Sequence, residues 1–104
     1  MAKVGLVVRL RAKAGKEAAV AEFLKNALPA VRAEEFTPLW FGLEGANGVF
    51  YIVDYFDDEA GREQHLAGQV AAALIQSAPE LLADHPHIEK VDVLASKVTR
   101  AAVT

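Results

Sequence analysis

The chain of 104 residues contains no cysteine. Disulfides, thiolate chemistry and cysteine-ligated zinc are therefore excluded, and the redox compartment is left unconstrained. No apolar run approaches about 18 residues, so no membrane-spanning helix is expected. Neither charge sign dominates. Eleven basic and 14 acidic residues are interspersed for a net charge of -3, which argues against a nucleic-acid footprint. The opening MAKVGLVVRLR puts a lysine before an apolar stretch, but a signal peptide would need a longer apolar core and a small-residue cleavage site. A β-strand explains it better, and the cytoplasm is the expected location. Apolar side chains are abundant, at 53% of a chain whose length makes one ordinary domain over 1–104. A domain this small buries roughly two-thirds of its unfolded surface at best, so the composition points to apolar surface covered by a partner.

The segment VFYIVDYF (49–56) carries this furthest. Val49, Tyr51, Val53 and Tyr55 alternate with Phe50, Ile52 and Phe56, so both faces of a strand here are apolar and both must be covered. KVGLVVRLR (3–11) is a second strand, with Val4, Leu6, Val8 and Leu10 on one face and Gly5, Val7, Arg9 and Arg11 on the other. From Lys16, Val20, Phe23, Leu24, Ala27, Leu28 and Val31 make one helical stripe. Glu17 suits its first turn, and Pro29 is expected to kink or break it. Residues 38–45 form a strand that the Asn-Gly of 46–48 joins to 49–56 as a hairpin. Asp57 or Asp58 caps a helix running to about Ser77 through Leu66, Val70, Ala73 and Leu74, and Pro79 stops it. PELLAD is expected to add one further helical turn, and 88–98 is a last strand. The tail from 98 to 104 is expected to be frayed or to touch a partner.

The order β-α-β-β-α-β is the split βαβ, or ferredoxin-like, α+β arrangement. Right-handed crossovers then place both helices on one face of a four-stranded antiparallel sheet. The other face has no helix left to cover it. An RNA-binding domain of this topology would show an aromatic motif in a basic surround there, but here the charge balance is wrong and no matching aromatic motif is visible. Two copies burying their open faces against each other is the remaining solution, with Phe50 and Ile52 expected in the contact.

Three stretches carry a family resemblance: VVRLRAKAGKEAAVAEFL, RAEEFTPLWFGL (32–43) and VFYIVDYFDDEAGREQHLAG. Together they resemble the antibiotic biosynthesis monooxygenase family of the dimeric α/β-barrel superfamily, over nearly the whole chain. The second stretch departs from the family, which usually has Pro-Gly where Glu35 and Phe36 stand here, so the pocket edge near the second strand should differ. The resemblance implies a homodimer that oxygenates phenols or quinols without metal, flavin or other cofactor. It also implies a role for the helix histidine, His65, as the base that makes a phenolate. A histidine can take or give a proton near neutrality. The plainer alternative is a His65 satisfied by a backbone carbonyl or by Asp54.

Tyr51 is the expected hydrogen-bond partner of the substrate. Phe23, Trp40 and Leu66 are the expected walls, in an apolar cavity between helices and sheet lined by Phe23, Trp40, Tyr51 and His65. Tyr51 and Tyr55 could equally be half-buried strand residues, Trp40 a core or interface residue, and Phe23 and Phe41 plain core. Asp54 is the one charge in its strand and needs a partner. Arg9, on the adjacent strand, is expected to supply an ion pair in the dimer contact. His85 and His87 lack a third ligand of suitable spacing, so no metal site is expected. The alternative to an enzyme is a stress-associated or other dimeric barrel that binds a small hydrophobic molecule without turnover. Haem degradation is disfavoured, because that relative needs an Asn in the first strand and KVGLVVRLR has none.

Overall fold

The computed structural model describes residues 2–99. Seven elements follow in the order β1 (Val4–Arg11), α1 (Glu17–Arg32), β2 (Leu39–Glu44), β3 (Val49–Phe56), α2 (Glu59–Leu66), α3 (Gln69–Leu81) and β4 (His87–Asp92). The four strands make one antiparallel sheet in the order β2-β3-β1-β4. This is the ferredoxin-like fold. No helix among the described residues is long and apolar enough to cross a membrane.

Register decides which side chains meet. Val4 pairs with Phe56 and Leu10 with Phe50, so even-numbered residues of β1 share a face with even-numbered residues of β3. That face carries Leu6, Val8, Leu10, Phe50, Ile52 and Phe56, which join Val20 and Leu24 of α1 and Leu74 and Ala78 of α3 in one core. The opposite face has no helix. It carries Val7 and Arg9 of β1, Tyr51, Val53 and Tyr55 of β3, and Leu39, Phe41 and Leu43 of β2. Phe41 and Leu43 are exposed. Gly5 lies opposite Tyr55, and a Cβ there would come within 2.8 Å of its ring and 2.7 Å of the Asp54 carbonyl oxygen. Only glycine fits beneath that ring.

Local chemistry sets the ends. Asn47 and Gly48 take positive φ, as the hairpin turn requires. Asp58 accepts a hydrogen bond from the Gly61 N–H and caps α2. The expected single helix to Ser77 is in fact two. It breaks at Ala67–Gly68, where a Cβ on Gly68 would lie 3.1 Å from a Glu34 carboxylate oxygen. Neither proline breaks its helix: α1 continues through Pro29 to Arg32, and α3 through Pro79 to Leu81, the further turn expected of PELLAD. Each stands in the last turn of its helix and gives up one bond to the turn before it. The last strand is shorter than expected, ending at Asp92, although the Val93 N–H still bonds the Lys3 carbonyl. Residues 100–104 of the expected tail lie outside the described residues.

Phe50 and Ile52 therefore belong to the core of the single chain, not to the open face expected to meet a second copy. Phe50→Asp is expected to abolish the cooperative urea unfolding transition, because it forces a charge into a packed interior. A folded monomer by circular dichroism and light scattering would instead put Phe50 in a contact between copies.

Candidate functional site

Asp54 points to the helix-covered face and is fully buried in a strand otherwise apolar on that side. Burying a carboxylate is costly unless a countercharge or hydrogen bonds meet it. Arg9 cannot do so. It pairs with Tyr51 and stands on the opposite, open face, so the expected Arg9–Asp54 ion pair does not form. The partner is His65, in the last turn of α2, whose Nε2 lies 3.1 Å from Asp54 Oδ2. That contact is close but not aligned as a hydrogen bond, and both Asp54 oxygens lack a hydrogen-bond donor among the described residues.

The other ring nitrogen faces a second carboxylate. His65 Nδ1 lies 2.7 Å from Glu34 Oε1, and the Thr37 hydroxyl donates to the same oxygen at 2.8 Å. The side chains of Glu34, His65 and Asp54 are 10%, 6% and 1% exposed. The result is a buried chain of carboxylate, imidazole and carboxylate, with the Phe56 ring against the imidazole at 5.4 Å. Burial disfavours the charged imidazole, but Asp54 and Glu34 outweigh it, and the His65 pKa is raised above its ordinary 6.5. Asp54 is also raised, chiefly by burial, with His65 opposing and Glu34 adding to the shift. Such a chain can hold and pass a proton. It is a row, not a convergent shell, and no group of three or more His, Asp or Glu among the described residues is arranged to hold a metal ion.

Trp40 is the cross-strand partner of Asp54 on the same face. Its ring edge lies over Gly42, where a Cβ would come 3.3 Å from it. Beside it is a groove of about 270 Å³ between α1 and β2, lined by Leu24, Leu28, Trp40, Gly42 and Phe50, with Lys25 and Glu44 among its other lining residues. The indole N–H is buried and has no acceptor among the described residues. A second cavity, of about 480 Å³, lies along α2 and α3 and includes Leu66. A third, of about 1060 Å³, opens on the other sheet face between Leu39, Phe41, Tyr55, Val91 and residues 93–98.

The expected cavity lined jointly by Phe23, Trp40, Tyr51 and His65 is not among these three. Tyr51 sits on the open face, opposite His65, because register gives odd and even residues different sides. Phe23 packs partly against the core, and Leu66 borders a different cavity from Trp40. His65 is buried and borders none of the three. It is brought together with Asp54, which the sequence offered as one alternative, and with Glu34 and Thr37, which sequence reasoning missed. The signal that could have found them is their place in the 32–43 stretch that carries the family resemblance. Arg62 was missed too. It is 5% exposed and donates to the Gly5 and Val91 carbonyls, tying α2 to the sheet.

No protein-family model and no curated protein matches this sequence. Solved structures do. The NE2512 protein of unknown function from Nitrosomonas europaea is 51% identical over 96% of this chain and 97% of its own, with a TM-score of 0.91. A protein provisionally named an antibiotic biosynthesis monooxygenase, from Deinococcus radiodurans, is 21% identical over 93% and 98% of the two chains, with a TM-score of 0.79. A similarly named protein from Caulobacter crescentus is 16% identical over 90% and 92%, with a TM-score of 0.77. The resemblance drawn from the sequence is thus met by the fold.

The raised His65 pKa makes stability depend on pH. The native state keeps a proton that the unfolded chain releases, so this stabilisation is complete below pH 6.5 and is lost as pH rises through the higher folded value. The raised Asp54 acts in the same direction. The denaturation midpoint is expected to fall from about pH 6.5 upward, and His65→Gln to flatten that fall. An equal slope in both proteins would show that the chain of three does not titrate as a unit.

Proposed function

Since the chain belongs to the family of the NE2512 protein and has the fold of the antibiotic biosynthesis monooxygenases, we propose that it is a cytoplasmic, cofactor-independent oxygenase of a small phenol or quinol. The observation that carries this reading is the Glu34–His65–Asp54 chain, buried directly across the strand from the tryptophan that walls an apolar groove. Buried, coupled ionisable groups with shifted pKa values are characteristic of proton-handling sites. A groove of this volume holds one small aromatic ring. Triplet oxygen reacts slowly with closed-shell molecules, but a phenolate can give it the first electron. The protein's share is then a dry pocket, an orientation, and a place for the phenolic proton. The Glu34–His65–Asp54 chain would take up that proton. Trp40, Leu24 and Phe50 would hold the ring. Tyr51, on the far face, drops out.

A second reading has an observation of its own. Both ring nitrogens of His65 already face carboxylates, and His65 borders none of the three cavities described. This favours a barrel that binds a small apolar molecule and does nothing further to it. Oxygen uptake separates the two. With a panel of quinols, an oxygenase consumes oxygen, and His65→Gln lowers the rate by roughly 10²–10⁴-fold. Ligand binding without uptake leaves the binding reading. Neither binding nor uptake removes both.

The same proposal includes a homodimer. The helix-free face presents Phe41, Leu43, Tyr51, Val53 and Tyr55 together, a patch of the kind that a second copy covers. Light scattering at micromolar concentration is expected to give a dimer burying well over about 1,200 Å². Val53→Asp should give a folded monomer. A monomeric unsubstituted protein would refute the assembly.

A further inference from the structure

The connection between α1 and β2, residues 33–38, turns two polar side chains inward. Thr37 is 7% exposed, and its hydroxyl donates to Glu34 Oε1, the oxygen that faces His65 Nδ1. Three residues after Thr37 stands Trp40, the wall of the groove and the cross-strand partner of Asp54. Asp54 in turn faces the other nitrogen of the same imidazole. The connection is therefore tied to His65 at one end, and at the other it delivers Trp40.

We propose that Glu34 is a positioning residue: through the charged imidazole of His65 it latches the α1–β2 connection onto α2 and so fixes Trp40 at the groove, and the latch loosens when His65 loses its proton. The chemistry of the ring requires this. A neutral imidazole has one N–H and one lone pair. If the N–H stays on Nδ1, the lone pair of Nε2 meets the Asp54 carboxylate. In the other tautomer, the lone pair of Nδ1 meets Glu34. Either way, while both carboxylates are ionised, one attractive contact becomes repulsive, in an interior where charge is weakly screened.

Few other groups compete. On α2 itself, Arg62 is directed to the Gly5 and Val91 carbonyls and to Glu59, and Glu63 pairs with Lys90 of β4. The one ionisable residue of α3 is Glu80, which pairs with Lys16. The residues of β1 on the helix-covered face, Val4, Leu6, Val8 and Leu10, carry no charge, and the β2 residue opposite Asp54 is Trp40 itself. Glu34 and Asp54 are thus the two charges facing the ring, and both favour its charged form. Any consequence for ligand binding rests on the groove being the site proposed above. The latch itself does not.

Trp40 is the single tryptophan of the sequence and makes the test direct. Tryptophan emission of the full chain is followed from pH 5 to 10 without ligand, while the His65 ring is titrated by NMR. The expected result is an emission change whose midpoint coincides with that of His65. In Glu34→Gln both midpoints should move down together, by about one pH unit or more. Emission that stays constant while His65 titrates overturns the latch, as does an unchanged midpoint in Glu34→Gln. If that variant does not fold, the unsubstituted protein decides alone: coincident midpoints support the latch, and independent ones refute it. Because no ligand is present, failure here leaves the oxygen-uptake experiment untouched, and failure there leaves this one standing.

Discussion

A carboxylate buried in the middle of an apolar sheet must be answered by something, and much of this molecule is arranged around the answer to Asp54. The answering group comes from α2, whose last turn brings His65 over β3. A cation suits the C-terminal end of a helix, where the peptide dipoles leave partial negative charge. Having left water, the imidazole needs a partner for its other nitrogen, and Glu34 reaches in from the α1–β2 connection. That inward turn leaves a carboxylate oxygen pressed against Gly68, where the helical segment divides into α2 and α3. One buried charge thus links a strand, two helices and a connecting loop.

The element order and the ferredoxin-like topology were legible in the sequence because they rest on local signals. Period-2 alternation in 3–11 and 49–56, the Asn-Gly turn and the Asp58 cap each act over a few residues. Of the two partners the sequence offered Asp54, Arg9 and His65, the right one was not legible, because it rests on register. In β1 and β3 the paired positions are both even or both odd, so Asp54 shares its face with Leu6 and Val8, and Arg9 shares its face with Tyr51. A slip of one residue would have reversed both statements. The same parity removes Tyr51 from the side of His65. The breaking effect of proline was overread: each ring costs one bond to the preceding turn, and both helices run on past it, to Arg32 and to Leu81.

Glu34 and Thr37 escaped notice because a polar residue in a connection is normally solvated. Only the folded chain shows that both turn inward, and that they do so toward a histidine 31 and 28 residues away. Trp40 was offered both as a pocket wall and as a core or interface residue; in the fold it lines the groove beside α1.

The two faces of the sheet divide the work between them. The helix-covered face holds the core, the ionisable chain and the groove, all within one copy. The open face holds aromatic and aliphatic side chains with Arg9 among them, and its large cavity runs under residues 93–98. Every second residue of β3 serves one task or the other, which is why a strand of eight residues carries apolar side chains on both sides. A substitution in β3 therefore disturbs either the core with its ionisable chain or the open face, according to whether its number is even or odd. The two faces can thus be altered independently.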